Sequence, residues 1–240
     1  MPTTSFLLNI GSRDTITSDE QNALLAMFSH QKSFEAGEVI VFDGSRPHFS
    51  LLLVEGMSVR SKVLAGGERQ ITAVHIPGDF VDLHSFLLKR MDHDVVALTA
   101  CRLVMAEHAA IRALMRVSEH LTRLLWLTTV IDGAVHREWL VAMGRRSSYS
   151  HMAHVFCELF VRLTIVKMTE GLTFNFPISQ AQFADVLGLS TVHVNRTLQE
   201  LRGDDLISWE RQVVRIKNWD QLVKAAQFDA TYLSLQKEPR

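Results

Sequence analysis

The stretch Ile178–Leu206, ISQAQFADVLGLSTVHVNRTLQELRGDDL, leaves the chain few conformational choices. Pro177 stops any earlier helix from running on. Ser179 and Gln182 have the spacing of a capping box, in which a hydroxyl and an amide each satisfy a free backbone N–H. Phe183, Val186 and Leu187 then recur at i, i+3 and i+4, the spacing of one buried helical face. Gly188 supplies the left-handed residue that ends this helix, and Leu189 follows as a hydrophobic plug. Ser190 caps a second helix whose inward face is Val194, Leu198 and Leu201. Two short amphipathic helices joined by one tight turn make a helix-turn-helix.

The second helix leaves Thr191, Val192, His193, Asn195, Arg196 and Gln199 near its outer face and N-terminal end, the part such a motif offers to the major groove. Asn and Arg suit base edges because each can make paired hydrogen bonds, to adenine and guanine respectively. Ser190 and Gln180 stand at helix N-termini, where free N–H groups and the dipole favour anions, and are expected to contact phosphates or simply to cap. Downstream, LISWERQVVRI sets two apolar runs around Glu210-Arg211-Gln212, which reads as a hairpin. The motif is therefore expected to be winged, with Arg211 a further phosphate candidate. Helix-turn-helix pairs also occur in proteins that never touch DNA. The outward Asn, Arg and His set and the wing favour double-stranded DNA as the partner.

Global charge gives no such signal. The formal net charge is −1 over 240 residues, so any DNA contact must come from a local patch. Even the C-terminal third is balanced, with Asp185, Glu200, Asp204 and Asp205 offsetting Arg196, Arg202, Arg211, Arg215 and Lys217. A 47% hydrophobic composition can bury a substantial core, and the length suits two domains. Cys101 and Cys157 lie in apolar surroundings without a C-x-x-C pair, which suggests buried free thiols in a reducing cytoplasm. No signal peptide opens the chain and no apolar run approaches the ~18 residues of a membrane span, so a cytoplasmic protein without a membrane partner is expected. No nucleophile–base pair, P-loop or metal tetrad is present, and the chain does not read as an enzyme. His75, His84 and His93 share a region with Asp79, Asp82, Asp92 and Asp94, but no metal-ligand spacing links them, and solvated loop residues are the default.

Residues 1 to 16 lack clear periodicity, and Ser18-x-x-Gln21 suggests a capping box opening a helix with Leu24, Leu25 and Phe28 inward. From Gln31 to Glu107 the pattern turns to short β-like runs: QKSFEA, VIVF, FSLLLVE, MSVRSKVL, RQITAVHI, DVVALTA and RLVMAE. Gly37, Asp43-Gly44, Gly56, Gly66-Gly67 and Pro77-Gly78-Asp79 separate them, which argues for an antiparallel roll or barrel. From Ala109 to about Ala142 no proline interrupts a helical pattern. Val117, Leu121, Leu124, Thr128, Ile131 and Val135 step there by alternating fours and threes, a heptad seam that predicts two helices packed together as a homodimer. The competing reading packs the same helix on its own β domain. Beyond it come a helix over His151–Lys167, a strand in LTFNFPI, and a final helix capped by Asn218 with Leu222, Val223, Ala226 and Leu233 on one side. The expected class is α+β, with a β-roll sensor over 1–108, a dimerisation helix over 109–146 and a winged helix-turn-helix domain over 147–240.

With its β-roll, long helix and winged helix-turn-helix in that order, the chain resembles the catabolite activator protein/FNR (CRP/FNR) family of bacterial transcription regulators. The landmarks are Gly37-Glu38, FSLLLVEG ending at Gly56, Pro77-Gly78-Asp79-Phe80, Thr99-Ala100-Cys101 and ADVLGLSTVHVNRTLQEL from Ala184 to Leu201. The resemblance covers about residues 18 to 217. It implies a cyclic-nucleotide-binding-like sensor, a homodimer on a palindromic operator, RNA polymerase as a partner, and coupling between effector and DNA affinities.

Several positions depart from the family. Its cyclic-nucleotide members place a Glu on the ribose hydroxyl and an Arg on the phosphate; an ungapped match puts Leu83 and Met91 at those positions, with Asp92 and Asp94 nearby to repel a phosphate. This argues against cyclic AMP. Residues 1 to 30 contain no cysteine, which removes the cluster ligands of the iron–sulfur members. In the haem members a His follows the Gly-Asp turn and an N-terminal proline is the other axial ligand. His84 and Pro2 match those places, while Asp82 stands where those proteins keep a cysteine. A haem or other small-molecule effector at Asp82, Leu83, His84 and Met91 stays open, as does a pocket filled by Leu83, Phe86 and Leu87 with no effector. On the recognition helix Arg196 matches the family Arg but Val192 occupies the usual Glu position, so an operator unlike the usual TGTGA and TTGAT half-sites is expected. A protein-binding scaffold acting through Trp126 and Trp139, with a degenerate DNA domain, is the alternative class.

Overall fold

A computed structural model describes residues 3–239. In chain order the elements are α1 (Thr4–Gly11), α2 (Ser18–Ala26), β1 (Phe28–Phe34), β2 (Val39–Val41), β3 (Phe49–Glu55), β4 (Ser58–Val63), β5 (Arg69–His75), α3 (Ser85–Leu88), β6 (Asp94–Ala97), β7 (Cys101–Glu107) and α4 (His108–Val117). They continue with α5 (Glu119–Arg145), α6 (Ser148–Ile165), β8 (Thr169–Glu170), β9 (Thr173–Asn175), α7 (Gln180–Leu187), α8 (Thr191–Gly203), β10 (Ile207–Glu210), β11 (Val213–Ile216), α9 (Trp219–Ala226) and a 3₁₀ turn over Ala230–Leu233. Contacts divide them into two units. One holds the chain up to Lys62, Ala73–Gly133 and the end from Ser234; the other holds Val63–Thr72 and Ala134–Leu233.

The first unit is the antiparallel roll that the turn-punctuated runs imply. Its strands form two sheets, ordered β1-β7-β3 and β2-β6-β4-β5. In β3 successive side chains point to opposite faces. Leu51 and Leu53 enter the roll interior beside Val95, Leu103 and Met91. Leu52 faces the other way, into a core with Phe6, Ile10, Leu24, Ile111 and Leu121 from the helices. Both faces are covered, which is why FSLLLVE reads as a continuous apolar run rather than an alternation. The Pro77-Gly78-Asp79-Phe80 turn lies against this strand: Gly78 N–H donates to the Leu53 carbonyl at 2.8 Å and Leu53 N–H to the Asp79 carbonyl at 2.9 Å.

Three local expectations shift. The aperiodic N-terminus contains α1, whose Phe6 and Ile10, four residues apart, are buried. The capping box on α2 is Thr17 with Glu20, one residue earlier than Ser18 with Gln21, and a carboxylate is the stronger acceptor for the Thr17 N–H. The long helical stretch is two helices, because Ser118 adopts an extended backbone and its hydroxyl accepts from Leu121 N–H at 3.1 Å. Serine competes for its neighbours' backbone in this way, which makes it a poor interior residue and a good cap.

The second unit is built around α6. Phe156 of α6, Phe176 after β9, Phe183 of α7 and Trp209 of β10 bring four rings together, with all six pairs of centroids between 5.3 and 6.0 Å. A four-stranded sheet ordered β10-β11-β9-β8 carries the hairpin. Glu158, on the same helix, is fully buried, a placement that is costly unless every lone pair is met. Trp139 Nε1–H and the Tyr232 hydroxyl donate to one carboxylate oxygen at 3.0 and 2.9 Å, and Arg162 donates to the other at 3.0 Å. The expected final helix is shorter than its apolar pattern. It ends at Ala226, Gln227 turns left-handed, and Leu233 packs from the 3₁₀ turn. Among the described residues no helix is long and apolar enough to cross a membrane.

Gly56 carries the tightest constraint in the roll. Its φ is +89° and a Cβ there would lie 2.3 Å from the Ala100 carbonyl oxygen, a backbone atom that cannot move aside alone. Gly56→Ala should therefore lower stability by more than about 2 kcal/mol, read as a lower denaturant midpoint with an unchanged slope. An unchanged midpoint would mean that the β4 turn relaxes freely.

Candidate nucleic-acid interface

The helix-turn-helix is held by the caps its sequence carries. Ser179 accepts from Gln182 N–H at 3.1 Å and Gln182 returns the bond to Ser179 N–H at 2.8 Å. Gly188 takes φ +65°, and Leu189 N–H reaches back to the Ala184 carbonyl at 3.1 Å. Ser190 accepts from His193 N–H at 3.3 Å and so starts α8. Val194, Thr197, Leu198 and Leu201 face the core. Thr191, Val192, Asn195, Arg196 and Gln199 are exposed, as the helical spacing requires.

Each outward residue has a distinct state. Val192 is 79% exposed, an apolar side chain left in water in the first turn of a polar face. Asn195 donates to the Thr191 carbonyl at 3.1 Å, so its amide must turn to reach a base. Arg196 is exposed and only loosely paired with Glu200, at 3.9 Å. His193 is half-buried: its Nε2 lies 2.8 Å from Ser148 Oγ and 3.3 Å from an Arg196 guanidinium nitrogen. A guanidinium only donates, so Nε2 accepts, and the ring acts as a bracket between α6 and Arg196. Ser148 and Tyr149, whose hydroxyl donates to Asp204 at 2.5 Å, were not singled out in the sequence, because each meets α8 across more than forty residues. Gln180 opens α7 and is half-buried.

On the wing, Arg211 and Gln212 both have positive φ, +47° and +69°, and close a two-residue turn between β10 and β11. Such turns usually hold Asn-Gly. Here two long side chains occupy the left-handed positions, with Arg211 exposed and the Gln212 carbonyl accepting from Phe176 N–H at 2.7 Å. The tip of the β4–β5 hairpin belongs to the same unit and holds α7. Arg69 pairs with Asp185 at 2.6 Å, and Gln70 donates to the Asp185 carbonyl at 2.8 Å.

The four residues expected to line an effector pocket do not converge. Met91 is buried in the roll interior, whereas Leu83 packs with the helices on the opposite face of β3. Asp82 is fully buried; one oxygen accepts from Leu51 N–H at 2.6 Å and the other has no partner among the described residues. Burial pushes its carboxyl up to about 7, against the pull of that hydrogen bond and of Arg60. The His84 ring lies tilted against His93 with centroids 5.1 Å apart, and burial followed by the Arg60 charge depresses it to about 4. Arg60 is itself buried on β4 and pairs with Asp132 of α5 at 3.1 Å. The pair joins residues 72 apart in sequence, so no local spacing points to it. No group of three or more His, Cys, Asp or Glu side chains among the described residues could hold a metal ion, and Pro2 lies outside those residues.

The heptad seam on α5 divides. Leu121 and Leu124 are buried in the first unit's own core, so they cannot face a partner, and Val135 is buried too. Thr128 and Ile131 are half-buried, and Val117, on α4, is exposed. The exposed apolar side chains of α5 lie elsewhere: Trp126 and Leu140 are each 69% exposed, and Val130, Val141 and Met143 are exposed too. At about 100° per residue Trp126, Val130, Leu140 and Val141 share one face, and Met143 lies beside it. Trp139, expected as a possible protein contact, is buried on Glu158.

Residues 31–118 match the family described as the cyclic nucleotide-binding domain, and residues 150–225 the Crp-like helix-turn-helix domain. The chain is 24% identical over 215 residues to the transcriptional activator protein FnrL of Cereibacter sphaeroides, covering 88% of this chain and 86% of that protein. It is 27% identical over 195 residues to the nitrogen fixation regulation protein FixK of Bradyrhizobium diazoefficiens, covering 78% of each. The solved structure of FixK2 from Bradyrhizobium japonicum superposes with a TM-score of 0.74 at 19% identity, over 84% of this chain and 98% of that one.

Asp82 gives a pH dependence with a definite sign. Its value in the fold lies above that of an unfolded aspartate, so its stabilising contribution is complete below about pH 4 and is lost as pH rises through 7. Asp82→Asn keeps the oxygen that accepts from Leu51 and removes the titration. Between pH 5 and 8 the native protein should lose about 2–3 kcal/mol of stability relative to this variant. Parallel unfolding profiles for the two would show that Asp82 stays in one protonation state.

Proposed function

The chain belongs to the CRP/FNR family of DNA-binding transcription regulators, and on that premise we propose a homodimer that reads a palindromic operator through the outer face of α8. The observation that carries this reading is the exposed set Thr191, Val192, Asn195, Arg196 and Gln199 on a helix capped by Ser190 and backed by a buried core. Arg196 reads a guanine through O6 and N7, and Val192 contacts a thymine methyl where the family usually has a carboxylate accepting from cytosine. Asn195 reaches an adenine once its amide leaves the Thr191 carbonyl. Gln180 and Ser190 approach phosphates at the two helix N-termini, and Arg211 does so from the wing. His193 steadies Arg196.

Three segments divide the work: a sensor over 1–108, a dimerisation helix over 109–146 and a DNA-binding domain over 147–240. The dimer face uses Trp126, Val130 and Leu140, whose exposure as apolar side chains on one face of a helix favours cover by a second copy. Met91 fills the roll interior where a cyclic-nucleotide sensor would need an arginine, which supports an effector other than cyclic AMP or none. The regulator works in the cytoplasm and addresses RNA polymerase, a reading supported by its similarity to a transcriptional activator protein.

Selection from random duplex DNA by the purified protein should recover a palindrome, and Arg196→Ala should bind it about 1–3 kcal/mol more weakly with relaxed preference at one base. Equal binding by the variant would remove Arg196 from base reading. Sedimentation of the double variant Val130→Asp, Leu140→Asp should give a folded monomer; a persistent dimer would move the interface off this face of α5.

A further inference from the structure

Away from the Asp82 region, the first unit contains a cleft of about 530 Å³ bounded by the β2–β3 loop, the end of α3 and the start of α4. Its walls include Arg46, His48, Lys89, Glu107, His108 and Arg112. Three fixed positive charges thus face one carboxylate, an excess of two before either histidine is counted. None of the ion pairs formed by the described residues involves Arg46, Lys89 or Arg112.

The cations are organised rather than scattered. The Lys89 ammonium and the Arg112 guanidinium lie 5.7 and 5.6 Å from the centre of the same Phe86 ring. Lys89 also donates to the Phe86 carbonyl at 2.9 Å. Its backbone is left-handed, φ +66°, a conformation that a lysine adopts only at a cost. His108 closes the floor through its backbone N–H to the His48 carbonyl at 2.9 Å, and its ring contacts Ser50 and Ser85. Burial, and after it the Lys89, Arg112 and His48 charges, hold that imidazole below its usual range. The N-terminus of α4 opens there as well, with no side-chain cap from Glu107.

We propose that this cleft binds a small organic polyanion carrying at least two phosphate or carboxylate groups. Arg46 and Arg112 grip the anionic groups through paired N–H donors and Lys89 adds a third charge, which together outweigh the single carboxylate of Glu107. The volume lies in the range of small-molecule sites and suits a compact ligand rather than a protein surface. The cleft shares no lining residue with the outer face of α8 or with Asp82, Leu83, His84 and Met91.

Calorimetric titration of the full chain at low ionic strength, with pyrophosphate and with citrate, tests it. At least one probe should bind, with affinity that falls as salt is raised. The double variant Arg46→Ala, Arg112→Ala, whose side chains are exposed and whose unliganded melting point should match the wild type, should bind about tenfold or more weakly. Arg116→Ala, on the same helix but outside the cleft, should bind normally. Phosphate probes bound without citrate, or the reverse, would assign the anion class. Failure of both probes, equal binding by the double variant, or an equal loss with Arg116→Ala would overturn the proposal. So would weaker operator binding by the double variant with no polyanion present, since that would put the duplex backbone in the cleft.

Discussion

Phe156, Phe176, Phe183 and Trp209 come from α6, the segment after β9, α7 and β10, and each ring packs against the other three. Edge-to-face and tilted contacts of this kind add about 0.5–1.5 kcal/mol per pair beyond burial, and they also fix angles. The quartet sets α7 against α6 through Phe183, and the wing against both through Trp209. The orientation of α8 follows from it, because Gly188 and Leu189 leave only a tight turn between α7 and α8. The exposed face of α8 is thus aimed by side chains buried in the core. A loop-borne site would need its own rigid frame; here the core of the domain serves as that frame.

The helix-turn-helix was legible because its determinants are local. Each cap, the turn glycine and the apolar spacing act within four residues of their partners, and all of them recur in the structure. The β-roll was legible from its turn residues, although strand partners had to come from coordinates. Where local signals compete, the sequence was ambiguous. Thr17-x-x-Glu20 and Ser18-x-x-Gln21 differ by one position, and only the geometry selects the first. Ser118 lies within an otherwise helical pattern and breaks it with one side-chain hydrogen bond. The seam through Leu121 and Leu124 had the period of a partner-facing stripe, yet period alone does not say which surface a stripe meets.

The polar groups buried in the β-roll were least legible, for the opposite reason. Arg60, Asp82, His84, His93 and Asp132 come from strands, turns and a helix spread over more than seventy residues, and no spacing rule joins them. Burial, a property of the assembled fold, raises the Asp82 carboxyl and lowers the His84 and His93 imidazoles. The cationic cleft around Arg46, Lys89 and Arg112 is equally silent in sequence: a net charge of −1 conceals it.

Glu158 ties Trp139, Arg162 and Tyr232 into one buried arrangement in which each partner answers a particular oxygen. Removing any one of them strands a carboxylate or a donor in the core, whereas replacing the whole set by apolar groups need not. Natural variation at these four positions should accordingly be correlated, with polar quartets and greasy quartets surviving and mixtures rare. The same logic gives the C-terminal turn around Tyr232 a structural role: clipping the chain just before it would leave a charged hole beneath the DNA-binding domain rather than trim an ornament.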